Sequence, residues 1–270
     1  MKSLLLVVLF WIGFWYALHV YMACKSMLLF RRKGCDISDI NSLKIRDDNP
    51  EDLDETLRSA LTDYDREIQA MGYSRLCFAS AGDPTIYQTF SLVHTKPNCD
   101  DRCVVEAVCQ SMGKRSVVVS WIGYGSEFSD GSQCHTINSD RMGEITPNKH
   151  VWNLPKCDDA SALHEAHTAF VRDSGKPTTS APATAEEWLE MQTARFKIEL
   201  ERSIQKGLIK QDSTGVNQYT LRTLFLICRP YIIPGFNPWL QRKHRVRSRH
   251  QLRSLGLAHL WKTEPMTADH

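Results

Sequence analysis

Residues 73–124 read YSRLCFASAGDPTIYQTFSLVHTKPNCDDRCVVEAVCQSMGKRSVVVSWIGY, and this stretch carries most of the strand signals in the 270-residue chain. Runs rich in β-branched and aromatic residues alternate in it with short turn sequences such as Ala-Gly-Asp-Pro and Met-Gly-Lys. Four strands are predicted within this stretch: Tyr73–Ala79, Thr85–His94, Cys103–Cys109 and Ser116–Tyr124. A fifth, Ser132–Asn138, is predicted after the Asp130-Gly131 turn. Because short turns join successive strands, the pattern predicts an antiparallel meander.

Helical patterns flank the predicted meander. Asn49-Pro50 supplies an N-cap and a proline at the first helical position, and apolar residues follow at helical spacing up to Gly72. A second helix is predicted from Asp159 to Arg172. A third begins at Thr184, where Glu187 completes a capping box.

The N-terminus carries a long apolar segment. Leu4 to Leu18 is an unbroken apolar and aromatic run, and as a helix the segment from Ser3 to Ala23 spans roughly 30 Å, the thickness of a bilayer core. The positive-inside rule places the rest of the chain in the cytoplasm, because four basic residues follow closely: Lys25, Arg31, Arg32 and Lys33. The predicted fold class is therefore α+β, with an N-terminal transmembrane helix followed by an antiparallel β-meander flanked by helices.

Two alternatives to an uncleaved anchor stay open. A cleavable signal peptide has a shorter apolar core and small residues before its cleavage site. The Ala23-Cys24 junction is preceded by bulky Tyr21 and Met22, which suit a signal peptidase poorly. The same junction is loosely typical of a lipoprotein signal in which Cys24 carries the lipid, although Tyr21 fits that pattern badly as well.

Composition and turn residues divide the chain into five parts. Hydrophobic content of 42% and charged content of 24% are typical of a folded globular protein. Lys176 to Ala183 is rich in proline, threonine, serine and alanine, which indicates a linker. The predicted parts are a transmembrane anchor at 1–24, a juxtamembrane segment at 25–48, an α+β domain at 49–175, a linker at 176–184, and a helical C-terminal region with a basic tail at 185–270.

The chain contains nine cysteines, and their redox state depends on the topology. In a secreted domain, the eight cysteines beyond Cys24 would be compatible with a disulfide framework. The charge bias instead favours the reducing side of the membrane, where most of these residues would be small buried apolar groups.

The metal-ligand candidates are His164, His167, Cys99 and Cys103. The two histidines lie three residues apart, whereas the zinc-protease signature needs a spacing of four, so further ligands would have to come from elsewhere in the chain. His167 shares a helical stripe with Ala160, Leu163 and Phe170, which favours a hydrogen-bonded, partly buried histidine. Cys99 and Cys103 have the spacing of one ligand pair only.

Catalytic and cofactor motifs are missing from the sequence. Gly123-Tyr124-Gly125-Ser126-Glu127 lacks the glycine that must follow the serine of a nucleophile elbow. Gly123 and Gly125 have neither the GxGxxG spacing nor a Gly-Lys-Ser/Thr ending. No cofactor is predicted, and the catalytic residues are unknown.

A basic stretch closes the chain. Between Trp239 and Lys262 there are seven Lys/Arg, three histidines and no acids, whereas Asp36 to Glu67 holds eleven acids and four bases. Such a segment on a tethered protein suits anionic lipid headgroups, and tethering disfavours nucleic acid. It could also pack on its own domain or stay solvated. The candidate membrane-surface residues are Arg242, Lys243, Arg245, Arg247, Arg249 and Arg253.

These observations support two hypotheses from different classes. The favoured one is a single-pass membrane protein that acts as a non-enzymatic interaction or scaffold protein. It contacts the bilayer through residues 3–23, and its protein partner is unknown. The alternative is a membrane-tethered enzyme whose metal or thiol site is assembled from distant histidines and cysteines.

Overall fold

The structure is a computed structural model that describes residues 11, 13–17, 21, 43–47, 49–83, 87–112, 115–139, 149–155, 157, 159–213, 217–223 and 236–261. Contacts divide the chain into two compact units. We call residues 41–193 with 241–270 the sheet unit, and residues 1–40 with 194–240 the second unit. Each unit is described by itself.

The sheet unit is built on a seven-stranded sheet whose spatial order follows the chain order. Each strand from β1 to β5 pairs antiparallel with the next, and β7 pairs parallel with β6. The strands are β1 Lys44–Ile45, β2 Ser74–Asp83, β3 Tyr87–Thr95, β4 Asp101–Met112, β5 Arg115–Glu127, β6 Gln133–Ile137 and β7 Lys149–Asn153.

The α+β class and a mostly antiparallel sheet are confirmed, with two corrections to the predicted meander. Sequence patterns missed β1 and β7, which are short strands at the two edges of the sheet. The five predicted strands do pair antiparallel, and the missed strand β7 adds one parallel pair at the edge of the sheet. The chain between Ile137 and Lys149 is long enough to cross back and run parallel to β6, which a tight turn does not allow.

The α-helices whose bounds lie within the described residues are α1 Glu55–Thr62, α2 Asp65–Ala70, α3 Ala160–Asp173, α4 Ala185–Gln205 and α5 Phe236–Ser254. The single helix predicted from Asn49 to Gly72 is wrong, because Asn49 caps only a 3₁₀ turn, Pro50–Asp52. The Asp54 side chain then accepts hydrogen bonds from the backbone of Thr56 and Leu57 and starts α1. Gly72 does end the helical region, at a φ of +87° that favours glycine.

The main hydrophobic core lies between one face of the sheet and helices α1, α2 and α3. Helical periodicity explains these contacts, since Leu57 and Leu61 of α1 lie one turn apart, as do Leu163 and Ala166 of α3. Leu252 of α5 joins the same core. The other face of the sheet is covered by the start of α4, where the buried Trp188 packs with three residues of β2 and β3: Cys77, Ala79 and Val93.

The predicted linker contacts the sheet at its first residues. The backbone N–H of Thr179 donates to the carbonyl of Glu127, and that of Ser129 donates to the carbonyl of Pro177. The amine of Lys176 lies 2.7 Å from the exposed Asp130 carboxylate. Hydrogen bonds from Lys176 and Ser132 hold the pKa of this carboxyl below its ordinary value. These bonds fix the path of the chain from α3 towards α4.

In the second unit, the described secondary structure includes the C-terminal part of α4, a two-stranded antiparallel ribbon and the first turn of α5. The ribbon consists of β8 Ile209–Gln211 and β9 Asn217–Tyr219. Trp11, residues 13–17 and Tyr21 are helical, and their large aromatic side chains are exposed. No described helix has the length and apolar character needed to cross a bilayer, and the predicted transmembrane segment lies mostly outside the described residues.

Candidate functional site

Helix α3 carries the two histidines of the predicted site over the sheet. Its N-cap is Asp159, whose side chain accepts hydrogen bonds from the backbone of Ser161 and Ala162. Leu163 and Phe170 anchor the helix on the core, and His167 lies on the same buried face. The prediction that His167 shares the apolar stripe of this helix is therefore confirmed.

His167 is held between two hydroxyl groups of the sheet. Its Nε2 atom lies 2.9 Å from Oγ of Ser126 in β5, and its Nδ1 atom lies 3.0 Å from Oγ1 of Thr136 in β6. His167 is 1% exposed and Ser126 is 2% exposed. Each hydroxyl can either donate or accept, so the pair satisfies a neutral imidazole in either tautomer.

Burial sets the protonation state of this imidazole. Removal from water disfavours the charged form and lowers the pKa of His167 from 6.5 to about 3, because the nearby Asp101 carboxylate offsets only part of the cost. His164 and Arg102 lower the pKa further. His167 is therefore neutral at physiological pH, and its hydrogen bonds tie α3 to β5 and β6.

A second hydrogen-bonded group surrounds Asp101 at the start of β4. One carboxylate oxygen accepts from the Tyr73 hydroxyl at 2.8 Å, and the other lies 2.8 Å from Nε2 of His164. Burial alone would raise the pKa of the Asp101 carboxyl, but the hydrogen bonds from His164 and Tyr73 outweigh it and keep the pKa below its ordinary value. Asp101 is therefore an anion shared by two donors.

The aromatic rings of Tyr73 and Tyr124 surround His164. Their centroids lie 5.8 Å and 5.0 Å from the centroid of its imidazole. Burial raises the pKa of both tyrosine hydroxyls, and the next contribution comes from Asp101 for Tyr73 and from Cys103 for Tyr124, so both are protonated donors. The His164 side chain is 29% exposed. This imidazole is the outer end of the network, whereas Asp101 and Tyr73 lie below it.

The four predicted metal ligands lie in one region, but the structure does not arrange them as a ligand set. Cys103 is buried opposite Tyr124 on the neighbouring strand, and burial raises the pKa of its thiol. Cys99 is half-buried in the turn before β4, and burial raises its pKa as well. Among the described residues, no group of three or more His, Cys, Asp or Glu side chains is positioned to hold a metal ion.

The described cysteines carry free thiols, and most of them are buried. Burial raises the pKa of the Cys77 thiol to about 11 and that of Cys134 to about 12. These thiols are therefore protonated at neutral pH and pack as small apolar groups. Cys24, Cys35 and Cys228 lie outside the described residues.

A second buried network, which the sequence did not indicate, connects α2 to β2 and β3. The two carboxylate oxygens of Asp65 each lie 2.6 Å from a partner, Nε2 of His94 and a guanidinium nitrogen of Arg75. Burial lowers the pKa of His94 despite this carboxylate. Asp65 itself stays ionised, because hydrogen bonds from His94 and Arg75 outweigh its burial. The contact between His94 and Asp65 therefore joins a neutral imidazole to an ionised carboxylate.

Gly123 and Gly125, which the sequence excluded from a phosphate loop, have a structural role in β5. A Cβ atom at Gly123 would lie 2.8 Å from Cγ2 of Ile137 on the adjacent strand, closer than real contacts allow. A Cβ atom at Gly125 would lie 3.3 Å from the ring of His135. Both glycines therefore make room for side chains of β6.

Helix α5 separates the six predicted membrane-surface residues into two groups. Its buried side faces the sheet unit: Oγ of Ser248 accepts a hydrogen bond from the backbone of Asn153 at 3.2 Å, and Leu252 is fully buried. Arg247, although exposed, lies over the Trp152 ring at 4.7 Å. Exposed residues are Arg242, Lys243, Arg247 and Arg253, whereas the half-buried ones are Arg245 and Arg249.

Comparisons with known proteins give no family for this fold and site. No protein-family model matches the chain, and neither the curated proteins nor the solved structures contain a significant match.

Proposed function

We propose that this protein is a single-pass membrane protein whose sheet unit acts as a non-enzymatic interaction module in the cytoplasm. The observation that carries the proposal is the state of His167. Both of its ring nitrogens are hydrogen-bonded to hydroxyls of the sheet, in a place with almost no exposure. This arrangement supports a role in fixing α3 on the sheet, because a buried and satisfied histidine stabilises one packing.

The anchoring part of the proposal rests on the sequence. The apolar run from Leu4 to Leu18 and the basic residues that follow it favour a transmembrane helix with a cytoplasmic C-terminus. The helical conformation of Trp11, residues 13–17 and Tyr21 is compatible with that helix. The protonated, buried thiols of Cys77, Cys103 and Cys134 suit a reducing compartment.

A topology reporter tests this proposal. A reporter enzyme that is active on one side of the membrane only, fused after His270, is expected to report a cytoplasmic C-terminus. In a matched variant, glutamine replaces the four basic residues after the apolar run. This variant tests what sets the orientation, because these residues are the source of the positive-inside bias. An extracytoplasmic signal from the unmutated chain would contradict the proposal and make a disulfide framework the next hypothesis.

A metalloenzyme is the second candidate, and one contact favours it. In metal sites, a ligating histidine commonly donates its other ring N–H to a carboxylate, which is the arrangement of Nε2 of His164 on Asp101. The Nδ1 atom of His164 would then be the ligand atom. The described contacts do not identify the remaining ligands, which would have to come from other residues of the chain.

Metal analysis of the purified full-length protein separates the two candidates. The interaction-module proposal expects no metal bound in stoichiometric amount, and no change on His164→Ala. Zinc or another metal bound one per chain, and lost in a His164→Ala variant that still melts cooperatively, would favour the enzyme. His259→Ala is the control, because it removes another imidazole, one that is exposed and lies 4.0 Å from Glu165.

A further inference from the structure

The outward face of α5 is the strongest surface feature of the sheet unit. Arg242, Val246, His250 and Arg253 are exposed and follow one another at steps of three and four residues, so they lie in one stripe along the helix. Lys243, which is also exposed, borders the same stripe. The opposite side of the helix is fixed on the sheet unit through Ser248 and Leu252, so the direction of the stripe is set by packing.

The charge of this stripe has one sign. The helix contains six Lys/Arg and no Asp or Glu from Phe236 to Ser254. Two acids have described contacts at the flank of α5 and beyond its C-terminal end: Asp173 accepts a hydrogen bond from Gln251, and Glu165 lies 4.0 Å from His259. Neither acid contacts a residue of the stripe, so the exposed face suits a partner that presents many negative charges over a flat area.

An apolar side chain lies within the basic stripe. Val246 is 60% exposed, one turn beyond Arg242 and one turn before His250. Helices that lie in the interface of a bilayer combine these two features, with basic side chains on lipid phosphates and apolar side chains between the headgroups. A duplex nucleic acid would use the charges but would leave Val246 without a partner.

We propose that this stripe docks the sheet unit onto the headgroups of anionic phospholipids, with Arg242 and Arg253 on the phosphates and Val246 between headgroups. The inference rests on the membrane anchoring proposed above, since a tether raises the effective concentration of lipid next to the stripe. Each exposed basic side chain near an anionic surface strengthens binding about fivefold.

The test uses the full-length chain reconstituted into two kinds of vesicle, phosphatidylcholine alone and phosphatidylcholine with phosphatidylserine. The measured quantity is the rate at which an amine-specific reagent acetylates Lys243, with the exposed Lys197 of α4 as the internal reference. Phosphatidylserine is expected to slow acetylation of Lys243 but not that of Lys197. High salt is expected to restore the rate, because it screens the charges.

A pair of matched variants isolates the stripe. Arg242→Glu with Arg253→Glu is expected to lower the docking equilibrium constant at least about 20-fold. Arg58→Glu with Arg66→Glu makes the same change in net charge at exposed positions of α1 and α2, and is expected to leave the protection of Lys243 unchanged. The salt titration of the unmutated chain does not depend on whether either variant folds.

The outcomes separate the docking from the anchoring. Flotation of the chain with pure phosphatidylcholine vesicles tests the anchor alone. A chain that floats but shows equal acetylation of Lys243 in both vesicles overturns the docking and leaves the anchoring intact. Protection that survives the double reversal, or that appears with duplex DNA and not with phosphatidylserine, also overturns it. A chain that needs phosphatidylserine to float, with Lys243 protected, supports the docking and contradicts the anchor.

Discussion

Replacing Asp101 with alanine is expected to lower the free energy of unfolding by about 3 kcal/mol, because two hydrogen bonds to a charged group are lost. The Tyr73 hydroxyl is left without its acceptor in a buried place, and His164 loses the carboxylate that orients it. Denaturant unfolding at neutral pH, followed by circular dichroism, measures the change.

Two further variants define the source of this effect. Asp63→Ala removes a carboxylate that is exposed at the end of α1, so it is expected to change stability by less than about 0.5 kcal/mol. Tyr73→Phe removes only one of the two donors to Asp101 and is expected to cost about half as much as Asp101→Ala. Equal stabilities of Asp101→Ala and Asp63→Ala would show that the network contributes nothing to the fold.

Acidification is expected to destabilise the sheet unit already at pH values well above the ordinary pKa range of carboxyl groups. In the unfolded chain the imidazole of His167 takes up a proton below pH 6.5, whereas in the folded protein its pKa is about 3. The unfolded state therefore binds more protons between these values, and stability falls as the pH falls, by up to about 1.4 kcal/mol per pH unit from His167. His94, whose pKa burial also lowers, adds a loss of the same sign.

A variant without the imidazole tests this assignment. His167→Gln keeps a neutral side chain that can hydrogen-bond to Ser126, and its stability is expected to depend less steeply on pH below 6.5. His259→Gln, at an exposed side chain, is expected to keep the steep dependence of the unmutated protein. Urea midpoints measured across the acid range compare the slopes. Identical slopes for His167→Gln and the unmutated chain would refute the role of His167.

Local sequence patterns predicted the elements whose signals are local. The central strands, α3 with its Asp159 cap, and the start of α4 at Thr184 all depend on residues within a few positions of one another. The division of the segment from Asn49 to Gly72 was missed, because apolar residues keep helical spacing across its breaks. Asp54 starts α1 after the 3₁₀ turn, and α2 begins after Tyr64 without a side-chain cap that the sequence could reveal. Strand β7 was missed because its pairing with β6 is set by a long connection rather than by a turn.

The candidate site could be predicted only for the residues on α3. His164 and His167 were recognisable because they share one helix, whereas Tyr73, Asp101, Ser126 and Thr136 come from distant strands with no spacing signature. Their meeting follows from strand register, which places Cys103 opposite Tyr124 and Ser126 next to Cys134. A single sequence does not contain that register. The Asp65–His94 pair was missed for the same reason, since these residues lie 29 positions apart.

The packing of α5 on the sheet has a consequence for how the protein is made. Ser248 bonds to Asn153 across 95 positions of chain, and Leu252, with Leu260, completes a core whose other buried residues lie between Leu57 and Phe170. A growing chain can form the hairpins of β2 to β5 early, because their contacts are local. The part of the core that Leu252 covers stays open until the last turns of α5 leave the ribosome. Completion of this unit therefore follows the synthesis of α5, and until then its unfilled apolar surface is available to chaperones.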